Sequence, residues 1–471
     1  MPNRLIIPSL LVLLITASVS GQQVTSDTAT LGIDAFHRRI LDHHPLVLQA
    51  RLLSDQARQE IRMARGSFDP KLEAAWATKE FEDKSYFNTV QSSLSLPTRS
   101  PVTPKIGFEQ RTGQLLDPSE KIPGDQQVSA GLTLPLGRGL ITDERRTALK
   151  QAQLMTTLLE AEQVKLVNKL LLEAATTYWS WYYRYQSFLL FDRASMVAKE
   201  IFDRVKLNFR QGEASVLDTV QASITWQMRM VERQEAALQL QNARIAVSNF
   251  IWDEGLQPLD LPSNALPVLT NGDARINNDE LGRLTDLAME NHPELVKLRT
   301  KIDQLELEQR LAREFLKPRL DLNYAMLRQP ATPGLFDPKN DYKLGMDLSM
   351  PLFLRKERAK LRMTGLKIEN STFELNQEQR DIRNDIQKIF NELMNVSAVL
   401  GRQQAMADSY ERLMEGELLN LRNGESDLFK INIQQEKLLQ AREKLIKLQA
   451  EYRKQKAYLY WAAGVSPAAL K

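Results

Sequence analysis

The sequence predicts an α+β chain in which one structural unit occurs twice. Each unit contains a short helix, a second helix, strands, a very long helix, a tight turn and a long returning helix. Three observations support this fold class. The same motifs recur in the same order in both halves, residues 142–211 contain neither Pro nor Gly, and the segments between the helices alternate apolar and polar residues.

The repeated motifs define an internal duplication. They predict a first repeat over residues 22–255, with strands at about 70–136, and a second over residues 279–471, with strands at about 319–353. The Pro-, Gly- and Asn-rich residues 256–278 are interpreted as a linker. The matching motifs are His44-Pro45 and His292-Pro293, Pro70-Lys71-Leu72 and Pro318-Arg319-Leu320, Leu134-Pro135-Leu136 and Met350-Pro351-Leu352, and the runs 208–213 and 420–425.

The long helices carry coiled-coil patterns. Residues 142–211 would form a rod of about 105 Å at 1.5 Å per residue, longer than a compact soluble domain requires. Gly212 and Gly424 are placed to reverse the chain, and Ser215 and Ser426-Asp427 are suited to begin the returning helices. The heptad seam of the second repeat contains Ile382, Ile386, Ile389, Leu393, Val396 and Leu400, followed on the returning helix by Leu438, Ala441, Leu445, Leu448, Tyr452 and Leu459.

The strand segments alternate with a period of two, as in Leu320–Met326 and Leu344–Met350. One apolar and one polar face fit a transmembrane barrel and a one-sided soluble sheet equally well. The first repeat holds an insertion at about residues 84–124. Its candidate strands are Tyr86–Leu96 and Lys105–Gln110, so each chain would supply either four strands or six.

The N-terminus has the layout of a secretory signal peptide over residues 1–21. Arg4 precedes the apolar run Leu5–Ile15, and small residues follow it. The chain contains no Cys, which excludes disulfides and an acylated N-terminal Cys. A formal net charge of +3 gives no strong field for attracting nucleic acid. These features indicate a bacterial periplasmic or outer-membrane protein.

The residues provide no basis for an enzyme, a cofactor or a metal site. No phosphate-binding G-x-x-x-x-G-K-[ST] and no nucleophile G-x-S-x-G motif occurs. The four histidines are His37, His43, His44 and His292, and two of them precede a Pro that begins a helix, which favours structural roles. The aromatic cluster Trp179–Tyr185 is interpreted as packing between helices.

In this order, occurring twice, the motifs resemble the TolC family of outer membrane efflux proteins, over about residues 33–464. The resemblance implies a homotrimer whose strands form one transmembrane β-barrel in outer membrane lipid, normally with four strands from each chain. It also implies a periplasmic α-helical coiled-coil tunnel, which meets a periplasmic adaptor protein and an inner-membrane transporter. No nucleic acid partner is implied.

The resemblance places the periplasmic tip and adaptor contact at Gly212, Glu213, Gly424 and Glu425. Asp218 and Lys430 occupy equivalent positions beyond the two tips with opposite charge, and they are predicted to form a gate pair between adjacent tips; the alternative is two solvated surface charges. The chain departs from the family pattern in three places. It has no lipid-modified Cys, Lys430 stands where relatives often carry an acid, and Ser426 replaces an Arg of well-known members.

The predicted function is a passive outer-membrane exit duct of a tripartite efflux or type I secretion system, for small molecules or polypeptides. Energy would come from the inner-membrane partner. The alternative is a periplasmic coiled-coil scaffold, without a channel, whose one-sided sheets are soluble. The sequence does not distinguish the exported substrate.

Overall fold

The computed structural model describes residues 30–113, 121–269, 276–331, 334–423 and 425–466. The predicted signal peptide and Gly424 lie outside these residues. The first half contains β1 (Thr30–Leu31), α1 (Ile33–His43), α2 (Pro45–Gly66), β2 (Lys71–Phe81), β3 (Lys84–Ser95), β4 (Thr103–Thr112), β5 (Gln126–Pro135), α3 (Glu144–Arg210) and α4 (Val216–Ser248). The second contains β6 (Leu266–Pro267), α5 (Asn278–Asn291), α6 (Pro293–Glu314), β7 (Arg319–Arg328), β8 (Tyr342–Ser349), α7 (Arg355–Arg422) and α8 (Leu428–Ala462).

The two long helices dominate the molecule. Helix α3 has 67 residues and α7 has 68, so each is about 100 Å long at 1.5 Å per residue. The predicted rod is therefore confirmed. The predicted seam of the second repeat is largely buried, with Ile382, Ile386 and Leu393 facing Leu459 and its neighbours in one apolar cluster. Among the described residues, no helix is both long enough and apolar enough to cross a bilayer.

A six-stranded antiparallel sheet lies at one end of these helices. Its order is β2-β3-β4-β5-β7-β8, so strands from both halves form one continuous surface. The insertion of the first repeat supplies β3 and β4, close to the two segments predicted from alternation. The sheet of the described chain therefore has six strands, four at its ends and centre from the strand pairs of the two repeats and two from the insertion.

Histidines cap equivalent helices in the two halves. The Nδ1 atom of His44 accepts a hydrogen bond from the Leu46 N–H (3.2 Å), and Nδ1 of His292 accepts one from the Glu294 N–H (3.3 Å). Pro at the first position of α2 and α6 fixes the backbone for helix entry and needs no hydrogen-bond acceptor. The predicted helix-boundary role of both histidines is confirmed.

Part of the predicted linker packs onto the first half of the chain. Strand β6 pairs in parallel with β1, and the Tyr178 hydroxyl donates to the Leu31 carbonyl oxygen (2.8 Å) and accepts from the Val268 N–H (3.0 Å). Tyr178 and Trp181 are completely buried, in the same apolar cluster as Leu261 and Ala265. The aromatic cluster thus packs helices together, as predicted, and residues 256–269 are anchored on it.

Candidate channel wall and helical tips

One face of the sheet is apolar across all six strands. Residues directly opposite each other on neighbouring strands share a face. The register aligns Leu72 with Leu94, Leu94 with Ile106, and Ile106 with Ala130. The large apolar side chains on this face are Leu72, Trp76, Val90, Leu94, Ile106, Phe108, Val128, Leu132, Leu134, Leu320, Leu322, Tyr324, Met326, Tyr342, Leu344, Met346 and Leu348.

The opposite face is polar, and a hollow of about 350 Å³ opens on it against β2, β3, β4 and β5. Because the sheet is curled and the hollow opens on this face, we infer that the polar face is the inner, concave one. Further along, Thr133 donates to Asn323 (2.7 Å), and Asn323 donates to Asp347 (2.7 Å), which links β5, β7 and β8. A sheet with an apolar convex face and a polar concave face has the distribution of a membrane barrel wall.

Gly131 permits the sheet to bend between β5 and β7. A Cβ atom at this position would lie 2.2 Å from the Tyr324 carbonyl oxygen and 2.7 Å from the Ala325 Cα. Glycine inside a strand often marks a bend or a close backbone approach. The lack of a side chain at Gly131 therefore allows the close contact on the concave side.

Both edges of the sheet are unpaired in the single chain. Strand β2 forms one edge and β8 the other, and β2 is exposed along its whole length. Unpaired N–H and C=O groups at an edge are not tolerated in hydrocarbon, so a wall of this kind must close against further strands.

A second hollow, of about 450 Å³, lies where the sheet meets the helices. Thr133, Arg319 and Asp321 reach it from the strands, while Arg145 and Glu314 reach it from α3 and α6. Arg319 Nε donates to Asp321 Oδ2 (2.6 Å), so opposite charges are paired along this wall. The polar concave face therefore continues toward the helical part of the chain.

The far ends of the long helices reverse in the same way in both halves. Gly212 has φ +81°, and the Gly212 N–H donates to Phe209 O (3.1 Å). The Glu213 N–H donates to Asn208 O (2.9 Å), and the Glu425 N–H donates to the equivalent Asn420 O (2.9 Å). This is the Schellman arrangement, which favours Gly because a Cβ atom is strained at positive φ.

Asp218 and Lys430 are both the third residue of a returning helix. Asp218 accepts hydrogen bonds from the Ser215 N–H (2.9 Å) and hydroxyl (2.8 Å), and Ser215 accepts one from the Asp218 N–H. At the second tip, Asp427 caps the helix by accepting from the Lys430 N–H (2.9 Å). Within the described chain, no hydrogen bond or ion pair joins Asp218 to Lys430. Asp218 instead performs local capping, and the gate pair stays a prediction about neighbouring chains.

The tips also expose apolar side chains that the sequence reasoning did not identify. Leu217 and Phe429, each the second residue of its helix, are 78% and 62% exposed. They are equivalent positions in the two repeats, so the paired tips present two apolar side chains beside the charged Glu213 and Glu425. The other exposed apolar residues near the tips are Leu207, Phe209, Val216, Val220 and Leu419.

Helix α4 carries an exposed apolar stripe with a spacing of seven residues. Its members are between 55% and 78% exposed in the single chain. Such a heptad spacing is typical of a coiled-coil seam, here without a partner among the described residues. The α4 stripe consists of Leu217, Ile224, Val231, Leu238 and Ile245.

A buried cation connects the two helical hairpins. The side chain of Arg229, on α4, is 2% exposed. Its Nη1 donates to both carboxylate oxygens of Glu232 (2.8 and 2.9 Å), and its Nη2 donates to Glu436 Oε2 on α8 (2.6 Å). Burial acts to lower the pKa of Arg229, but the hydrogen bonds to the two carboxylates outweigh it, so the pKa is raised. This inter-hairpin link was not predicted, because a lone Arg in a helix ordinarily faces solvent.

Within the described ranges, no cluster of three His, Asp or Glu side chains is arranged to hold a metal ion. The candidate sites are therefore surfaces: the sheet wall, the α4 stripe, the inter-hairpin link and the two tips. Each of these surfaces can bind a partner, enclose a space or hold two elements together.

Comparison with known proteins supports the same architecture. The outer membrane efflux protein family matches residues 284–465. The fold is similar to the CmeC outer membrane channel of Campylobacter jejuni (13% identity, TM-score 0.63, covering 98% of this chain and 94% of that one). It is also similar to the outer membrane protein VceC of Vibrio cholerae (15% identity, TM-score 0.63, covering 92% of this chain and 96% of that one). A third similar structure is the open state of the MtrE outer membrane channel of Neisseria gonorrhoeae (14% identity, TM-score 0.64, covering 92% of this chain and 89% of that one). No curated protein sequence matches the chain.

Proposed function

We infer that this chain, whose residues 284–465 match the outer membrane efflux protein family, acts as a passive outer-membrane channel extending into the periplasm. The channel is the exit duct of a tripartite efflux or type I secretion system. The observation that carries this proposal is the sheet with an apolar convex face, a polar concave face and two unpaired edges.

We propose that three copies close the wall. Strand β2 of one chain would pair with β8 of the next, because these are the two free edges. The α4 stripe supports assembly independently, since an exposed heptad seam requires a partner helix. The number three comes from the family resemblance, and the need for more than one chain comes from the free edges.

The alternative, a periplasmic scaffold with soluble sheets, conflicts with the exposed apolar face. Leu72, Trp76 and Leu348 are exposed on it, together with Leu344 and Met346. A contiguous apolar surface of this kind marks a membrane or protein contact. Lipid covers such a face without any further partner.

The two ends of the helices would then serve different surroundings. In this arrangement the sheet lies in the outer membrane, and the tips beside Gly212 and Glu425 lie about 100 Å away, the length of α3. We propose that the tips contact a periplasmic adaptor and, through it, an inner-membrane transporter. The sequence contains no nucleotide-binding motif, so the transporter would supply the energy.

The assembly is tested by purification. We expect the protein to fractionate with the outer membrane, to require detergent, and to have the mass of three chains by light scattering. Reconstituted in planar bilayers, it should conduct ions, because its concave face is polar. A stable, detergent-free monomer would contradict the proposal and would favour the scaffold.

The orientation is tested by cross-linking in cells. The chain has no Cys, so single cysteines at Glu213 and Glu425 are the only thiols. We expect thiol-reactive cross-linkers at these tips to capture one periplasmic protein, identifiable by mass spectrometry as the adaptor. Arg145→Cys, beside the sheet, is the matched control. Capture of that protein from Arg145→Cys alone would reverse the orientation.

A further inference from the structure

The hairpin β3–β4 is continuous with the wall on both faces. Val90 lies opposite Trp76 of β2, and Phe108 lies opposite Val128 of β5, so the hairpin continues the apolar face. On the other face, Gln91 lies opposite Ala75, and Gly107 lies opposite Ser129, so the hairpin continues the polar face. A surface loop would have no reason to match both neighbours in this way.

We propose that β3 and β4 are membrane wall strands, so that each chain contributes six strands and the trimeric barrel contains eighteen. This inference rests on the proposed trimeric channel. It departs from the four strands per chain, and twelve per barrel, that the resemblance implies. The insertion is thus a widening element of the barrel.

The topology permits this enlargement without other changes. Two added strands restore the direction in which the chain runs, so β5 stays antiparallel to both of its neighbours. An even number of strands also leaves β2 and β8 antiparallel across the junction between chains. Adding a single strand would have disrupted this alternation.

The enlargement changes the dimensions of the pore. With strands about 4.8 Å apart and tilted by about 40°, twelve strands give a backbone diameter of about 24 Å, and eighteen give about 36 Å. The inward side chains of the hairpin are mostly polar and include the charged Lys105, Glu109 and Arg111 beside Thr89 and Gln91. The hairpin therefore adds both circumference and charge to the inner wall.

Lipid exposure of adjacent residues distinguishes a wall strand from a surface loop. Phe108→Cys faces outward and Glu109→Cys inward, while Met346→Cys on β8 is a wall reference. Each is labelled with a fluorophore and reconstituted in vesicles that contain nitroxide-labelled lipid. We expect strong quenching at Phe108→Cys and Met346→Cys, and little at Glu109→Cys.

The outcomes separate this inference from the proposed function. Quenching at Met346→Cys without quenching at Phe108→Cys would overturn the eighteen-stranded barrel and leave the channel intact. No quenching at any of the three positions would overturn the channel itself. Strand number is then read directly from electron cryo-microscopy of the wild-type particle, where twelve wall strands would also overturn the inference.

A deletion tests the effect on pore width. Joining Phe81 to Gln126 through a short turn removes β3 and β4 and brings β2 beside β5, which are already antiparallel. We expect a trimer with a barrel narrower by about one third. An unchanged diameter would show that the hairpin lies outside the wall. If this variant fails to assemble, the number of wall strands counted in the wild-type particle decides between eighteen and twelve.

Discussion

We expect Val231→Asp to separate the oligomer into single folded chains. Val231 is the central member of the α4 stripe and is exposed in the isolated chain, so the substitution leaves the internal packing of the chain intact. In the assembly, however, it removes roughly 2 kcal/mol of apolar burial at each seam and places an unpaired carboxylate there, at a cost of several kcal/mol. A loss above about 4 kcal/mol weakens each interface more than a thousand-fold.

Light scattering in detergent measures the dissociation, and far-ultraviolet circular dichroism checks that the helices remain. Ala237→Asp is the matched control, because Ala237 is exposed on the same helix but lies outside the heptad positions of the stripe. We expect the control to stay trimeric. If Val231→Asp stays trimeric as well, α4 does not form the seam between chains, and the stripe faces another partner.

The order of elements could be predicted from the sequence because its signals are local. A long stretch without Pro or Gly specifies a rod, and the Gly212 reversal follows from the need for positive φ at that residue. His44 and His292 were correctly assigned to helix boundaries, because a following Pro leaves few other roles for them.

The sheet and the contacts between helices were harder to predict. Alternation in β3 and β4 does not reveal whether a strand pair joins the wall, since that depends on pairing with distant β5 and β2. The α4 stripe was missed because polar residues such as Gln227, Gln234 and Gln241 lie between its members, so only half of a heptad pattern is apolar. The capping of α4 by Ser215 and Asp218 is a local contact between residues three apart, whereas a gate pair of Asp218 and Lys430 between chains stays a prediction.

The second large effect concerns the inter-hairpin link of Arg229. Arg229 lies 13 residues beyond the start of α4, about 20 Å from the tip, and reaches Glu436 on the other hairpin. We propose that the tip widens when the two hairpins of a chain move apart. We therefore expect loss of the link to raise the open probability in planar bilayers.

The cation and the two carboxylates of the link differ in burial, so removing Arg229 and removing Glu436 should have different effects on stability. Arg229 is buried, whereas Glu232 and Glu436 are partly exposed. Glu436→Ala leaves a buried guanidinium with one partner and costs about 2–3 kcal/mol, while Arg229→Met lets both carboxylates become hydrated and costs about 1 kcal/mol or less. Both variants should open the channel, but only Glu436→Ala should lower the thermal stability of the trimer.

Lowering the pH should weaken the same link by protonating Glu436. Burial raises the pKa of Glu436, but its hydrogen bonds to Arg229 and Gln440 outweigh burial, so the pKa lies below its ordinary value of 4.5. A carboxylate with a lowered pKa contributes its stabilisation above the unfolded pKa and loses it as pH falls through the folded pKa. The wild-type channel should thus stay closed at neutral and mildly acidic pH and open more often only below about pH 4.5.

Single-channel recording of three variants over this pH range completes the test. Lys199→Met is the matched control, because the ion pair of Lys199 with Asp203 (2.7 Å) lies within one helix and does not connect the two hairpins. Its open probability should equal that of the wild type. Glu436→Ala should already have a high open probability at neutral pH. Lowering the pH should not raise it further, because the variant lacks the carboxylate that acid would protonate. If Arg229→Met and Glu436→Ala both conduct like the wild type, the hairpins are held together by apolar packing alone, and Arg229 serves only to stabilise α4 against α8.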